Sequence, residues 1–120
     1  MSAVDGLSDM ADTLMKAAQA GRKAMAWLLE HAAGDRNVVG AVSVNYMMLM
    51  GYLCGGWVMG RSALKAGQLL QEGAGDEGFL KAKQVTARFY FDHLLPRTAS
   101  YLETIKAGSE SMMALDEDLF

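Results

Sequence analysis

The chain has 120 residues with eleven basic and fourteen acidic side chains, giving a formal net charge of −3. This length has room for one domain with a stable core. No basic cluster is longer than the pair Arg22 and Lys23, which argues against nucleic acid as a main partner. The single cysteine, Cys54, rules out an intrachain disulfide and a cysteine-rich metal site. We expect a reducing, cytoplasmic location, and the acidic N-terminal segment shows no export signal.

The composition predicts an all-α fold. There is one proline, and good helix formers fill most of the chain. We predict an up-and-down bundle of three long helices, as a single domain over residues 1–120 with tails at 1–7 and 109–120. The ten methionines either fill gaps between helices, the interpretation we favour, or line a promiscuous binding surface.

The first predicted helix begins with Ser8 or Asp9 as its cap and ends with Gly34 as a left-handed C-cap. Trp27 lies beside the predicted core-facing side, either as an anchor for a partner or folded under the edge of its own bundle. Spacings of three and four place the following residues on that side: Leu14, Ala18, Gly21, Met25, Leu28 and Ala32.

The second predicted helix starts after Asp35, its expected cap, and ends at Gln71 or Glu72. From Asn37 to Gly60 it has no ionisable acid or base, and a helix of this length can cross a bilayer. Asparagine amides, several glycines and amphipathic neighbours instead favour a central helix that is buried on nearly all sides and does not span a membrane. After Gly60 one face becomes polar.

Glycines at helical spacing in this segment predict close approach of a bulky neighbour, either Trp27 or the aromatic residues of the next helix. The candidate packing or interface residues are Gly51, Gly55, Gly56, Gly60, Trp27 and Phe120.

Gly73 to Gly78 form a helix–helix turn. The GxGxxG spacing within it follows a helix rather than a strand, which argues against a dinucleotide site. Asp76 and Glu77 open the third helix, which is kinked or split at Pro96 and ends at Gly108. Its aromatic core wall is predicted on the side that carries Phe79, Ala82, Thr86, Phe89 and His93, widened by Leu80, Ala87, Tyr90, Phe91 and Leu94. The apolar residues at the end of the tail suggest docking on its own surface or a partner's.

The sequence predicts no catalytic, cofactor-binding or metal-binding residue. His31 and His93 lack metal-ligand spacing, and His93 is expected to be a hydrogen-bonded structural residue. Cys54 is expected to be a small buried side chain. The cations Arg88, Arg97, Lys81 and Lys83 either bind an anion or, as we favour, form a solvated face paired with Asp92 and Glu103.

The segments ARFYFDHLLPRTASYLETIKAG and MMALDEDLF, with AWLLEHAAGDRNVVGAVSVNYMMLMGYLCGGWVMGRSALKA before them, resemble the C-terminal extension of large bacterial FAD-dependent acyl-CoA dehydrogenases. The subgroup includes 3-methylmercaptopropionyl-CoA dehydrogenase. The resemblance extends from about Leu14 to the end of the sequence.

The resemblance implies a parent enzyme that binds FAD and acyl-CoA, in which a glutamate removes the α-proton and hydride passes to the flavin. None of the family's catalytic or flavin-binding motifs is found in this sequence, so no residue role is carried over. The expected role is a non-catalytic module that packs on the parent's catalytic core or supports a homo-oligomer. The alternative is an independent module whose Met/Gly-rich helix binds a partner helix or a membrane surface.

Overall fold

The described structure, a computed structural model, covers the backbone of residues 3–120 and the side chains of residues 7–120. It contains helices α1 (Ala3–His31), α2 (Val38–Glu72), α3 (Glu77–Phe89), α4 (Arg97–Lys106) and the short α5 (Glu110–Met113). A π-helical turn, Tyr90–Leu94, joins α3 to α4, and a 3₁₀ turn occupies Glu117–Leu119. The prediction of an all-α bundle is confirmed.

Helix α1 begins and ends differently from the prediction. It already includes Ala3, so Ser8 and Asp9 lie within the helix and cannot cap it; the carbonyl of Asp9 accepts a hydrogen bond from the Thr13 hydroxyl at 3.0 Å. At the other end the helix stops at His31, and Gly34 does not have a positive φ. The predicted left-handed cap at Gly34 is therefore wrong.

The turn between α2 and α3 has the predicted chemistry, whereas the prediction that Asp35 caps α2 is wrong. The N-cap of α2 is Asn37, which makes no side-chain cap hydrogen bond, and Asp35 Oδ1 accepts the N–H of Asn37 at 2.9 Å in the turn before the helix. Gly73, at φ 68°, ends α2 with a left-handed cap that a residue with a Cβ rarely adopts. Asp76 accepts the N–H of Phe79 at 3.2 Å and caps α3.

The third helical segment is split, as Pro96 predicted. The N–H of Leu95 donates to the carbonyl of Tyr90 at 2.9 Å, five residues back, which is the hydrogen bond of a π turn. Proline has no N–H to continue this pattern, so α4 starts afresh at Arg97. The chain leaves α4 through Gly108, whose φ is 72°.

The core consists of two clusters along α1 and α2. One cluster joins α1 and α2 to α3 and the π turn; its buried members are Met10, Ala17, Ala63, Ala87, Phe91 and Leu95. The other joins α1 and α2 to α4; its buried members are Ala20, Ala24, Val42, Leu49, Leu102 and Ile105. The break at Pro96 thus coincides with the boundary between the clusters.

The buried line on α1 is rotated from the predicted one. Ala17, Ala20 and Ala24 are buried, whereas Met25 is 46% exposed. The reason is close helix approach: a Cβ added to Gly21 would lie 3.0 Å from Leu53 Cδ2, so small side chains occupy the contact with α2.

Two predictions of burial are wrong. Helix α2 is not buried on nearly all sides, because only one face packs against the other helices. The side of α3 predicted as the core wall is exposed, with Phe79 at 61% and Phe89 at 56%. The core instead receives Leu80, Ala87 and Phe91, which belong to the neighbouring apolar arc.

The molecule is elongated, with extents of 67 × 28 × 21 Å and a radius of gyration of 19.0 Å. A compact domain of this length has a radius of gyration of about 14 Å. Among residues 7–120, seventeen large hydrophobic side chains are exposed and nine are buried. The bundle therefore leaves much apolar surface uncovered.

Candidate functional site

The outward face of α2 carries a continuous apolar stripe. Val44, Met47, Gly51, Cys54 and Val58 follow one another at spacings of three and four, and all five are exposed. We call this set the α2 stripe. It spans about 21 Å of helix axis at 1.5 Å per residue. A Cβ at Gly51 would have no heavy atom within 4 Å, so a second helix can approach closely there.

An open groove of about 490 Å³ lies where the stripe ends, between α2 and α3. Apolar side chains form its walls, and three basic side chains are also part of its lining. We call this the α2–α3 groove; its lining residues are Val58, Arg61, Ser62, Lys65, Ala66, Leu69, Phe79, Leu80 and Lys83.

The cations around the α2–α3 groove form no ion pair with an acid among the described side chains, residues 7–120. The ion pairs in the described part of the chain involve Lys81, Arg88 and Lys106, and none includes Arg61, Lys65 or Lys83. Lys83 Nζ lies 5.7 Å from the ring centroid of Phe79, and Arg61 lies 4.8 Å from that of Trp57. The groove thus combines apolar walls with unneutralised positive charge.

The other candidate glycines lie off the α2 stripe, Gly55 on its flank and Gly56 and Gly60 on the opposite face of α2. The Tyr90 hydroxyl lies directly over Gly55 and donates to the carbonyl of Tyr52 at 2.7 Å. A Cβ at Gly56 would be 2.9 Å from Leu95 Cδ1, and one at Gly60 would be 3.4 Å from Phe91 Cζ. These three glycines face residues of the same chain, whereas Gly51 faces open space.

Tyr52 links the π turn to α4. Its hydroxyl accepts a hydrogen bond from Arg97 Nη1 at 3.1 Å, and its ring stacks on Tyr101 with centroids 5.8 Å apart. Burial raises the pKa of the Tyr90 hydroxyl, and the neighbouring Tyr52 and Cys54 raise it further. Tyr90 therefore remains protonated and able to donate at neutral pH.

A hydrogen bond between Ser109 and Asp35 lies at the end of the bundle where α2 begins. The buried Ser109 hydroxyl donates to Asp35 Oδ2, while Oδ1 accepts the N–H of Asn37. These two hydrogen bonds, Ser109 first, lower the pKa of the Asp35 carboxyl. Trp27 is partly buried beside them; it lies 3.7 Å from where a Cβ on Gly108 would be and stacks on His31 at 4.1 Å. This contact fixes the start of the tail.

Several predictions for individual side chains are corrected. Cys54 is exposed rather than buried. His93 is exposed as well and contacts the Phe89 ring at 5.0 Å, so the prediction of a hydrogen-bonded structural histidine is wrong. Phe120 is 91% exposed, and its role at an interface stays a prediction.

The predicted charge pairing is partly right. Arg88 lies 3.9 Å from Asp92, as expected. Glu103 pairs with Lys106 at 3.9 Å rather than with Arg97, which instead contacts Tyr52. Lys81 pairs with Glu77 at 2.6 Å, and this pair lowers the pKa of the Glu77 carboxyl. These pairs are solvated and contribute little to stability.

The described residues do not build a site that fits FAD or a metal ion. Every buried side-chain nitrogen or oxygen among them has a hydrogen-bond partner, so no buried polar group is left for a ligand. No three His, Cys, Asp or Glu side chains in this part of the chain converge as metal ligands.

Length and composition alone would allow α2 to cross a membrane. It is the one such helix among the described residues, and 17% of its most apolar window is buried inside the chain. One helix of this kind is weak evidence for a span. Its exposed apolar surface is equally suited to contact with protein.

Sequence reasoning missed three features of the surface. The α2 stripe and the α2–α3 groove were hidden because apolar residues were assumed to face the core. The spacing of Val44, Met47, Gly51, Cys54 and Val58 is itself visible in the sequence. No signal in the sequence pairs Ser109 with Asp35, which are 74 residues apart.

The chain is similar in sequence to part of two known proteins. FadE5, a broad-specificity linear acyl-CoA dehydrogenase of Mycobacterium tuberculosis, is 38% identical over 84 residues, which are 68% of this chain and 14% of that protein. The 3-methylmercaptopropionyl-CoA dehydrogenase of Ruegeria pomeroyi is 37% identical over 86 residues, 72% of this chain and 14% of that protein. The chain therefore spans about one seventh of the length of these relatives.

The family described as acetyl-CoA dehydrogenase C-terminal like matches residues 1–116. The match covers nearly the whole chain and confirms the resemblance inferred from the aromatic third helix and the acidic tail. The chain belongs to the acetyl-CoA dehydrogenase C-terminal like family.

Proposed function

We propose that this chain is the non-catalytic helical module of an FAD-dependent acyl-CoA dehydrogenase, where it packs on the flavoenzyme core and supports assembly of the oligomer. The observation that carries the proposal is the α2 stripe, an uncovered apolar helix face in a chain of this family. A face of this kind is typical of a surface that another protein covers.

The shape of the molecule supports a docked module. A radius of gyration of 19.0 Å leaves the helices in a thin layer, in which α2 packs with one face only. At about 25 cal/mol per Å² of apolar surface, covering the exposed face provides a substantial driving force for association. Gly51 within the stripe allows a partner helix to come close.

The chemistry belongs to other parts of the proposed parent enzyme. FAD would be held there, and the enzyme would oxidise an acyl-CoA to the 2,3-enoyl-CoA. One relative is named as a linear acyl-CoA dehydrogenase and the other as a 3-methylmercaptopropionyl-CoA dehydrogenase, while this chain matches only 14% of each. We assign the chain an effect on assembly and core stability rather than on the bond-breaking steps.

The independent-module alternative, with α2 bound to an unrelated partner helix or a membrane surface, is not favoured. The family match extends over residues 1–116, including both flanking helices as well as α2. A role tied to the parent enzyme explains this whole arrangement.

The test places Met47→Glu in the parent enzyme, with Leu29→Glu as the matched control. Both side chains are exposed in the chain, at 62% and 73%, but only Met47 lies on the α2 stripe. A buried, unpaired carboxylate at the docking surface is strongly unfavourable. We expect Met47→Glu to lower the mass seen by light scattering after gel filtration, the bound flavin and the acyl-CoA turnover.

The same two variants of the chain alone should keep wild-type helicity and unfolding midpoint, because neither touches its core. Leu29→Glu should leave the parent unchanged. A parent enzyme with Met47→Glu that retained its mass, flavin content and turnover would overturn the proposal.

A further inference from the structure

The tail, residues 109–120, combines apolar side chains with acids. Leu119 is 67% exposed and Phe120 is 91% exposed. Asp116, Glu117 and Asp118 directly precede them, and none of the three forms an ion pair in the described part of the chain. The segment Asp116–Phe120 therefore presents uncovered apolar groups and unneutralised negative charge together.

The tail and the rest of the chain differ in net charge. The tail contains four acids, Glu110 among them, and no basic residue. The other 108 residues carry eleven basic and ten acidic side chains, a net charge of +1. The net negative charge of the protein is thus confined to the tail.

The α2–α3 groove has the complementary properties. Phe79, 61% exposed, and Val58, 52% exposed, offer apolar surface for a leucine and a phenylalanine. Arg61, Lys65 and Lys83 surround this surface, and none of the three pairs with an acid among the side chains that the structure describes. Opposite charges around an apolar contact give it orientation and specificity.

The tail cannot reach the groove of its own chain. Ser109 is tied to Asp35, just before α2, while the groove is centred near Lys65. From Val38 to Lys65 the helix axis is about 40 Å long at 1.5 Å per residue. With α5 (Glu110–Met113) folded, the chain from Ser109 to Phe120 spans about 31 Å at most, at about 1.5 Å per helical residue and about 3.6 Å per extended residue. The tail of another copy is not limited in this way.

We infer that two copies of this chain associate in antiparallel orientation, with Asp116–Phe120 of each copy seated in the α2–α3 groove of the other. In this elongated molecule the tail begins near one end of α2, and the groove lies toward the opposite end. Antiparallel pairing brings each tail beside the groove of the other copy. The contact is then made twice, related by a two-fold axis.

Charge favours a dimer that exchanges its tails over a dimer in which only the two α2 stripes touch. Arg36 precedes the stripe and Arg61 follows it, so antiparallel helices alone would bring these like charges together. The tail starts beside Arg36, and its acids would lie between the two basic ends. The inference deepens the assembly role proposed above and rests on it.

The first experiment measures the self-association of the full chain by sedimentation and by gel filtration with light scattering. We expect a dimer that weakens as salt is raised. Truncation before Asp116 and the double variant Arg61→Glu/Lys83→Glu should each raise the dimer dissociation constant by on the order of tenfold or more. Arg22→Glu/Lys23→Glu, with the same change of charge on α1, should leave it unchanged.

The second experiment mixes the truncated chain, which keeps its groove, with the Arg61→Glu/Lys83→Glu chain, which keeps its tail. Each alone should be largely monomeric, and the mixture should form one-to-one heterodimers through the remaining tail–groove contact. Circular dichroism checks that both variants are folded. Heterodimers in the mixture cannot arise from a general loss of stability.

A monomeric wild-type chain, or a truncated chain that dimerises as tightly as wild type, would overturn the inference. So would tail-dependent binding to a separately purified catalytic core without tail-dependent dimerisation. These results leave the proposed function standing if Met47→Glu still disrupts the parent enzyme, so the two failures are distinguishable.

Discussion

Gly55→Ala tests how closely the π turn approaches α2. A Cβ at this position would collide with the Tyr90 hydroxyl and lie 2.9 Å from its Cζ. The Tyr90 ring is attached to the π turn and hydrogen-bonded to Tyr52, so it cannot simply swing away. Overpacking costs about 1–3 kcal/mol. Loss of a partly buried hydrogen bond adds about 1–3 kcal/mol.

The better helix propensity of alanine offsets about 0.8–1 kcal/mol of this cost. We therefore expect Gly55→Ala to lower the free energy of unfolding by about 1–5 kcal/mol. Gly51→Ala is the matched control one turn earlier, where a Cβ meets no atom within 4 Å. It should raise the free energy of unfolding of the isolated chain by about 0.5–1 kcal/mol.

Urea unfolding followed by circular dichroism measures both variants. The double variant Gly55→Ala/Tyr90→Phe should be less destabilised than the sum of the single variants, by about 0.5–2 kcal/mol, because removing the hydroxyl relieves part of the collision. Equal stability of Gly55→Ala and Gly51→Ala would show that Tyr90 does not pack over α2, and the reasoning would fail.

Two further predictions concern α3 and Asp35. Phe91→Ala should cost about 3–5 kcal/mol because the ring is buried, whereas Phe89→Ala, 56% exposed, should stay within about 0.5 kcal/mol of wild type in urea unfolding of the isolated chain. Equal losses of unfolding free energy would mean that Phe91 is no more buried than Phe89, against the packing described above. Because folding lowers the pKa of the Asp35 carboxyl, its ionised form stabilises the fold at pH values above the ordinary pKa of 3.8. This stabilisation is lost as the pH falls through the lowered pKa. The difference in unfolding free energy between wild type and Asp35→Asn should shrink over that acidic pH range. Ser109→Ala should raise the pKa of Asp35 in an NMR titration. An unchanged pKa would contradict the hydrogen bond from Ser109.

Local signals in the sequence predicted the turn between α2 and α3 and the break at Pro96, but not the ends of α1. Gly73 and Asp76 identify the turn between α2 and α3 because a left-handed cap and an N-cap have few alternatives. Pro96 predicted the split of the third segment, since proline lacks the N–H that a continuous helix needs. The π turn before it has no comparable signal.

The choice of buried face could not be made from hydrophobicity alone. Helix α3 and the π turn together have two adjacent apolar arcs, one with Phe89 and the other with Phe91, and either could form a core. A rule that puts apolar groups inside cannot choose between two apolar faces when only one of them packs against the rest of the bundle. On α1 the close approach of α2 selects Ala17 and Ala24 over the larger Met25.

The two core clusters make the ends of this molecule energetically separate. Phe91 belongs to one cluster and Ile105 to the other, with Pro96 at the boundary between them. Losses of stability at distant positions without shared neighbours add. Local opening can therefore release α3 and the π turn while α4 stays protected against hydrogen exchange. One end of the bundle can thus open without loosening the other.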